Sequence, residues 1–117
     1  MEAEDIREYC LQKKAVTESF PFDNETLVFK VGGKMFLLIS LEKQPVTFAA
    51  KADPELSEEL RETHPQISGA YHMNKLHWNS IVCESLKKEL ILKLIDHSYD
   101  LVFRSLTKKL RDEILNS

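Results

Sequence analysis

Two adjacent glycines, Gly32 and Gly33, separate two runs of β-branched, aromatic and other apolar residues, 26–31 and 34–41. Glycine has no Cβ, so both residues can take the positive φ angles that a two-residue hairpin turn needs. The pattern predicts two antiparallel strands joined by this turn. A chain with such a hairpin is not a helical bundle, and its other elements must pack against a sheet.

Both faces of the predicted hairpin are apolar. Strict alternation of side chains along a strand assigns each residue to one face of the sheet. One face is expected to hold Leu27, Phe29, Val31, Phe36 and Leu38, and the other to hold Val28, Met35, Leu37 and Ile39. In a two-layer domain the helices cover one face, so we expect the second face to be covered by the C-terminal helices, by a second copy of the chain or by a partner.

The other segments predict an α+β domain. Residues 2–15 have apolar positions at helical spacing, 46–51 supplies a third strand, and Asp53 followed by Pro54 begins a helix that ends near Thr63. Two further strands, 67–73 and 76–83, are expected to join around residues 74 and 75. Ser85 is the candidate cap of the helical remainder, in which Thr107 begins a separate last helix.

The element order is α-β(3)-α-β(2)-α, which is not the alternation of a parallel sheet. An antiparallel sheet with helices packed on it is the simplest arrangement for this order. At 117 residues, one hydrophobic core and a single domain spanning 1–117 are expected.

The composition predicts a cytoplasmic protein without membrane contact. Hydrophobic residues make up 43% of the chain, but no apolar stretch approaches the roughly 20 residues that a bilayer requires. The first residues are acidic, whereas a secretory signal begins with basic ones. Cys10 and Cys83 lie far apart in sequence, which favours reduced, buried thiols over disulfides or a zinc site.

The formal net charge of −3 lacks the basic excess that usually accompanies strong nucleic-acid binding. The charge is unevenly distributed, because residues 101–111 contain no acid and four bases: Arg104, Lys108, Lys109 and Arg111. A solvated helix face is the ordinary explanation for such a run. The functional explanation is that these four bases contact phosphate groups.

Residues 68–79 combine tyrosine, tryptophan, two histidines, two asparagines and a lysine. Lys75 could contact a phosphate, Asn74 and Asn79 could exchange hydrogen bonds, and Tyr71 or Trp78 could stack on a base or on a peptide side chain. The alternative is that the two aromatic residues belong to the core and that Asn74 is a turn residue with αL geometry. The sequence alone is compatible with both interpretations.

Catalytic and cofactor motifs are weak or missing in the sequence. Val31-Gly32-Gly33-Lys34 lacks the first glycine and the following hydroxyl residue of a phosphate-binding loop. His77 lies near Ser80 and Cys83, but without a nucleophile motif. His72 and His77 are five residues apart, a spacing that is looser than common metal motifs. We therefore expect no enzyme activity, no metal and no cofactor.

Five segments form a series that covers essentially the whole chain. They are Phe20-Pro21-Phe22, the stretch 29–36, Asp53-Pro54-Glu55, the stretch 71–78 and the stretch 98–102. In this order they resemble the MmcQ/YjbR family, and the stretch Tyr-His-Met-Asn-Lys-Leu-His-Trp at 71–78 is the most specific. The family usually continues with Leu-Pro-Lys-Lys after the last segment, where this chain has Leu106-Thr107-Lys108-Lys109 and keeps both lysines.

The resemblance implies a fold similar to the frataxin-like or secretion-chaperone-like α+β sandwich. It also implies a DNA-binding protein with a double-wing motif. The corresponding hypothesis is weak, phosphate-directed DNA binding by Lys30, Lys34, Lys51, His72, Asn74, Lys75 and His77, with Lys108, Lys109 and Arg111 as auxiliary contacts. The alternative hypothesis is a protein-interaction or chaperone-like module, or a homodimer, that uses the spare apolar sheet face.

Overall fold

The computed structural model describes residues 1–70 and 73–117. Within this part of the chain, the helices are α1 (Ala3–Leu11), α2 (Pro54–Thr63), α3 (Lys88–Ser105) and α4 (Lys108–Leu115). The strands are β1 (Val16–Ser19), β2 (Thr26–Val31), β3 (Lys34–Ser40), β4 (Thr47–Lys51), β5 (Ile67–Gly69) and β6 (Trp78–Val82). The predicted α+β class is confirmed.

The strands form one antiparallel sheet in the order β1-β2-β3-β4-β6-β5. All four helices lie on the same face of this sheet, because each contributes a side chain to one apolar cluster. The cluster joins Ile6 of α1, Leu60 of α2, Ile95 of α3 and Ile114 of α4 to sheet residues such as Phe29. Within the described residues, no helix is both long and apolar enough to cross a membrane.

The β2–β3 hairpin turns at Gly32 and Gly33 as predicted, with φ angles of 58° and 81°. The hairpin also contains a β-bulge that strict alternation does not include. Lys30 pairs with Met35 near the turn, whereas Phe29 pairs with Leu37. Phe36 is therefore an extra residue on β3, without a partner on β2.

The bulge reverses the predicted faces of β3 beyond Phe36. Leu37 and Ile39 pair with Phe29 and Leu27 and join them in the helix-covered cluster, and Leu38 lies on the opposite face. The predicted grouping of Leu38 with Phe29 was wrong. The physical reason is that every residue from 35 to 39 is apolar, so the hydrophobic pattern alone does not select the register.

The second face of the sheet is not the apolar surface that was predicted. By alternation and pairing it carries Thr17, Ser19, Thr26, Val28, Lys30, Met35, Leu38, Ser40, Thr47, Ala49, Lys51, Ser68, Trp78, Ser80 and Val82. Seven of these fifteen residues are serine or threonine, and the predicted placement of Val28 and Met35 on this face is confirmed. None of them belongs to the apolar cluster of the described residues. This face therefore mixes hydroxyl, lysine and apolar side chains, of which Val28 and Trp78 are buried, and no helix of the described residues packs on it.

The strand β1 and the start of α3 differ from the sequence predictions. α1 ends at Leu11 rather than near residue 15, and Ala15 has a φ of 59° where the chain turns into β1. This four-residue strand is fixed by pairing with β2, which no local pattern indicated. Ser85 is not the helix cap, because it has a φ of 67° and α3 begins after Lys87.

A hydroxyl group from α3 extends the ladder between β3 and β4. The last pair at this end is Leu37 with Ala50, and the next pair in register would be Phe36 with Lys51. Instead, the fully buried Ser98 donates its hydroxyl hydrogen to the Phe36 carbonyl and accepts the Lys51 backbone N–H at 2.9 Å. Ser98 thereby satisfies two backbone groups that the strands leave unpaired.

We expect Ser98→Ala to lower the free energy of unfolding by about 1–3 kcal/mol, because a buried carbonyl and a buried N–H lose their partner. Urea unfolding followed by circular dichroism measures the change. The matched control is Ser105→Ala on the same helix, where the exposed hydroxyl serves its own helix by donating to the Val102 carbonyl. Equal losses in the two variants would contradict the bridging role of Ser98.

Candidate nucleic-acid interface

The turn of the β2–β3 hairpin lies against the junction of α3 and α4. A Cβ placed on Gly32 would lie 2.7 Å from a methyl carbon of Leu106 and 3.1 Å from one of Leu110. Glycine is needed at this position for its positive φ and for this close approach. Lys34, which follows the turn, is exposed and lies at the same end of the molecule as the first turn of α4.

The helix α4 begins as the sequence predicted. Thr107 is the N-cap, and its hydroxyl accepts the backbone N–H of Leu110 at 3.2 Å. Lys108 and Lys109 are exposed in the first turn, and Lys108 also lies 3.4 Å from Asp112. Arg111 donates to the Arg104 carbonyl at 2.9 Å, which ties α4 to the end of α3.

Two further lysines lie on the helix-free face of the sheet near the same end. Lys30 is close to the end of β2, opposite Met35. Lys51 ends β4, and its ammonium group lies 5.8 Å from the ring centroid of Trp78, within the range of a cation–π interaction. Trp78 is almost fully buried, as its alternative interpretation predicted, although it lies on the helix-free face and outside the apolar cluster that the helices cover. Its ring faces are therefore not open for stacking.

The loop between β5 and β6 carries the remaining predicted contacts. Asn74 is an exposed residue that begins a turn, because its carbonyl accepts the N–H groups of His77 and Trp78. The predicted αL geometry was wrong, since Ala15 and Ser85 are the non-glycine residues with a positive φ among those described. The Asn74 side-chain oxygen accepts the Leu76 N–H at 2.9 Å. Lys75 is exposed, and His77 is half-buried. Tyr71 and His72 lie outside the described residues, so both interpretations of Tyr71 and the predicted DNA contact of His72 stay predictions.

Arg61 of α2 fastens this loop, and sequence reasoning missed it. Its Nε donates to the side-chain oxygen of Asn79 at 2.7 Å, and its Nη2 donates to the carbonyls of Lys75 and Trp78. Asn79 is buried and donates in turn to the hydroxyl of Ser57 at 2.9 Å. The sequence signal was present but ambiguous, because a single arginine on an acidic helix also fits solubility.

Most of the predicted bases therefore gather at one end of the sheet. In an antiparallel sheet of this order, the same end holds the turn after β2, the start of β3, the end of β4 and the start of β6. We call this the basic end, and its members are Lys30, Lys34, Lys51, Lys75, Lys108, Lys109 and Arg111. Acids are also present there, including Asp112 beside Lys108 and Asp53 beside His97.

The opposite end of the sheet carries more acids than bases, although Lys43, Lys87 and Lys88 also lie there. It holds the β1–β2 loop and the β3–β4 loop, which meet where the Leu41 N–H donates to the Glu25 carbonyl at 2.9 Å. The N-terminus of α1 lies at this end too, because Arg7 binds Glu18 of β1 at 2.8 Å. The acids of these three segments are Glu2, Glu4, Asp5, Asp23, Glu25 and Glu42.

The two cysteines are free and buried, as the sequence predicted. Burial raises the pKa of the Cys10 thiol to about 12 and that of the Cys83 thiol to about 11. Thiols with such values are protonated near neutral pH and are poor nucleophiles. Within residues 1–70 and 73–117, no three histidine, cysteine, aspartate or glutamate side chains are grouped closely enough to hold a metal ion.

A family model described as YjbR matches residues 11–101 of the chain. The Escherichia coli O157:H7 protein YbdF is 38% identical over 108 residues, which cover 91% of this chain and 88% of that protein. The Escherichia coli K12 protein YjbR is 29% identical over 100 residues, covering 85% of each chain. Both relatives are described as uncharacterised, so neither name assigns a ligand.

Solved structures show the same fold. A Deinococcus radiodurans protein with the domain DUF419 superposes with a TM-score of 0.91 at 40% identity, over 97% of this chain and 87% of that one. A Pseudomonas syringae protein superposes with a TM-score of 0.74 at 27% identity, over 87% of this chain and 99% of that one.

We expect Arg61→Gln to lower the free energy of unfolding by about 1–3 kcal/mol, because the shorter side chain leaves three oxygen acceptors without their donor. Exchange of the His77 and Trp78 amide hydrogens, which bond to the Asn74 carbonyl, should also become faster. Urea unfolding and hydrogen exchange measure the two effects. Arg104→Gln is the control, since Arg104 is exposed and donates to the Asp100 carbonyl of its own helix. Equal exchange rates in the two variants would contradict the role of Arg61 as the clamp that holds the β5–β6 loop.

Proposed function

The chain belongs to the YjbR family, and from that premise we propose that it binds duplex DNA weakly through phosphate contacts at the basic end. The observation that carries the proposal is the separation of charge along the sheet, with bases gathered at the hairpin turn and acids at the opposite end. A polarised surface of this kind steers an anion to one end of a protein even when the net charge is negative.

The first turn of α4 supports a phosphate contact. A helix N-terminus carries a partial positive charge, which favours acids in the first turn and disfavours bases. α4 has no acid there and has Lys108 and Lys109 instead. This arrangement costs the isolated helix a few tenths of a kcal/mol, and a bound phosphate would offset the cost.

Two projections at the basic end are candidates for the wings that the family resemblance implies. One is the hairpin turn with Lys34, which is held against α4 by the contacts of Gly32. The other is the β5–β6 loop with Lys75, which is held by Arg61. Lys51 lies between the two projections, at the end of β4. We propose that the projections contact backbone phosphates on either side of one groove.

The binding that we propose is non-specific and non-catalytic, and it takes place in the cytoplasm. Lysine contacts with phosphate position a protein on DNA but carry no sequence information. The net charge of −3 opposes approach to DNA from any direction except the basic end. The contribution of His72 remains part of the proposal.

The alternative, a protein-interaction module or homodimer that uses the second sheet face, has less support. That face is free of helices, which favours contact with a partner. However, the bulge at Phe36 leaves Leu38 on this face instead of Leu37 and Ile39, and serine and threonine side chains of the other strands interrupt its apolar surface. A stable homodimer through this face would need to bury a larger and more continuous apolar area.

Titration of a fluorescent duplex of about 20 base pairs at salt concentrations of about 50 and 200 mM tests the proposal. We expect binding at low salt that weakens steeply at high salt, because phosphate contacts release counterions. Lys34→Ala combined with Lys109→Ala should weaken binding and reduce the salt slope by about 2. Fluorescence anisotropy measures both quantities.

The matched control combines Lys43→Ala with Lys87→Ala, which removes the same charge from exposed lysines outside the basic end. This variant should bind nearly as the parent chain does. The proposal fails if no duplex binds at low salt, if binding is indifferent to salt, or if the two double variants lose affinity equally.

A further inference from the structure

Three large apolar side chains are exposed at the acidic end of the sheet. Phe20 and Phe22 in the β1–β2 loop are 46% and 63% exposed, and Leu41 at the start of the β3–β4 loop is 40% exposed. The other large apolar side chains exposed to this degree among the described residues, Leu76 and Leu115, lie in the β5–β6 loop and at the end of α4. We call Phe20, Phe22 and Leu41 the loop patch.

The loop patch is carried by a constrained backbone. The N–H groups of Glu25 and Thr26 donate to Asp23 at 2.8 and 2.6 Å, and these bonds keep the pKa of the Asp23 carboxyl below its usual value. Pro21 restricts the chain between the two phenylalanines. Since the Leu41 N–H bonds to the Glu25 carbonyl, the two loops are joined and hold the patch toward solvent.

The surroundings of the patch are predominantly acidic. Asp23 and Glu25 follow Phe22 directly, and Glu42 follows Leu41. The first turn of α1 adds Glu4, which binds Arg7, and Asp5, which accepts the N–H of Glu2 in a capping box. The bases at this end are Lys43 in the β3–β4 loop and Lys87 and Lys88 at the start of α3, so the acids outnumber them around the two phenylalanines.

We propose that the loop patch docks a basic amphipathic segment of a partner protein. The apolar side chains of the segment would pack on Phe20, Phe22 and Leu41, and its lysine or arginine side chains would face the surrounding carboxylates. Exposed aromatic side chains at a fixed position are typical anchors of protein interfaces, and charge complementarity selects the partner.

The same charges argue against other occupants. Nucleic acid and the surface of an anionic membrane would both be repelled by the carboxylates around the patch. A second copy of the chain could offer its basic end, but such a head-to-tail contact would build rings or open chains of molecules, which sedimentation distinguishes from a chain that docks a partner segment. The docking proposal is independent of DNA binding, because the two sites lie at opposite ends of the sheet.

A synthetic amphipathic helix of about 18 residues containing leucine and lysine is the probe, and the same helix with glutamate in place of lysine is its control. We expect the lysine peptide to shift the amide signals of residues 19–26 and 40–43 in heteronuclear NMR spectra, and the glutamate peptide to leave them unchanged. Phe20→Ser combined with Phe22→Ser should weaken binding of the lysine peptide by at least about tenfold.

A control variant combines Leu76→Ser with Leu115→Ser, which removes exposed apolar side chains elsewhere and should keep peptide affinity. Thermal unfolding of both variants confirms that they fold, as expected for changes at exposed side chains. The proposal is overturned if the phenylalanine variant binds the lysine peptide as well as the parent chain does, if the shifts lie outside the two loops, or if sedimentation shows that the patch mediates self-association instead.

Discussion

The extra residue at Phe36 is the constraint on which the rest of the sheet depends. It places Leu37 and Ile39 beside Phe29 and Leu27, and so assembles one continuous apolar face for the helices. At the same point the regular ladder between β3 and β4 ends, and Ser98 from α3 bridges the Phe36 carbonyl and the Lys51 N–H. One irregularity therefore decides which face the helices cover and anchors the longest helix at the end where Lys51 leaves the sheet.

This arrangement also explains how a chain with an excess of acids presents a basic surface. Because the strands are antiparallel, alternate connections meet at the same end of the sheet. The hairpin turn and the β5–β6 loop lie at one end with the start of α4, and the β1–β2 and β3–β4 loops lie at the other with the acidic N-terminus of α1. The bases at one end, like the acids at the other, come from segments that are far apart in sequence. The topology of the sheet rather than the composition therefore separates the charges.

At the basic end, arginine side chains bond to neutral oxygen atoms rather than to carboxylates. Arg61 bonds to an amide oxygen and two carbonyls, and Arg111 bonds to the Arg104 carbonyl. A guanidinium group bonded in this way shapes the surface and retains its positive charge, whereas a guanidinium paired with a carboxylate, such as Arg7 with Glu18, contributes little to the field. The structural arginines and the exposed lysines therefore both make the electrostatic potential at the basic end more positive.

The sequence by itself determined the hairpin at Gly32 and Gly33, the α+β class, the helix that follows Asp53, the cap at Thr107 and the buried state of both cysteines. These features depend on backbone preferences, capping chemistry and hydrophobicity, which act within a few residues. Only the tertiary structure decided the bulge, the strand β1, the clamp formed by Arg61 and the grouping of bases at one end. The physical reason is that both sides of β3 are apolar near Phe36, and a partner many residues away supplies the energy difference that selects one register.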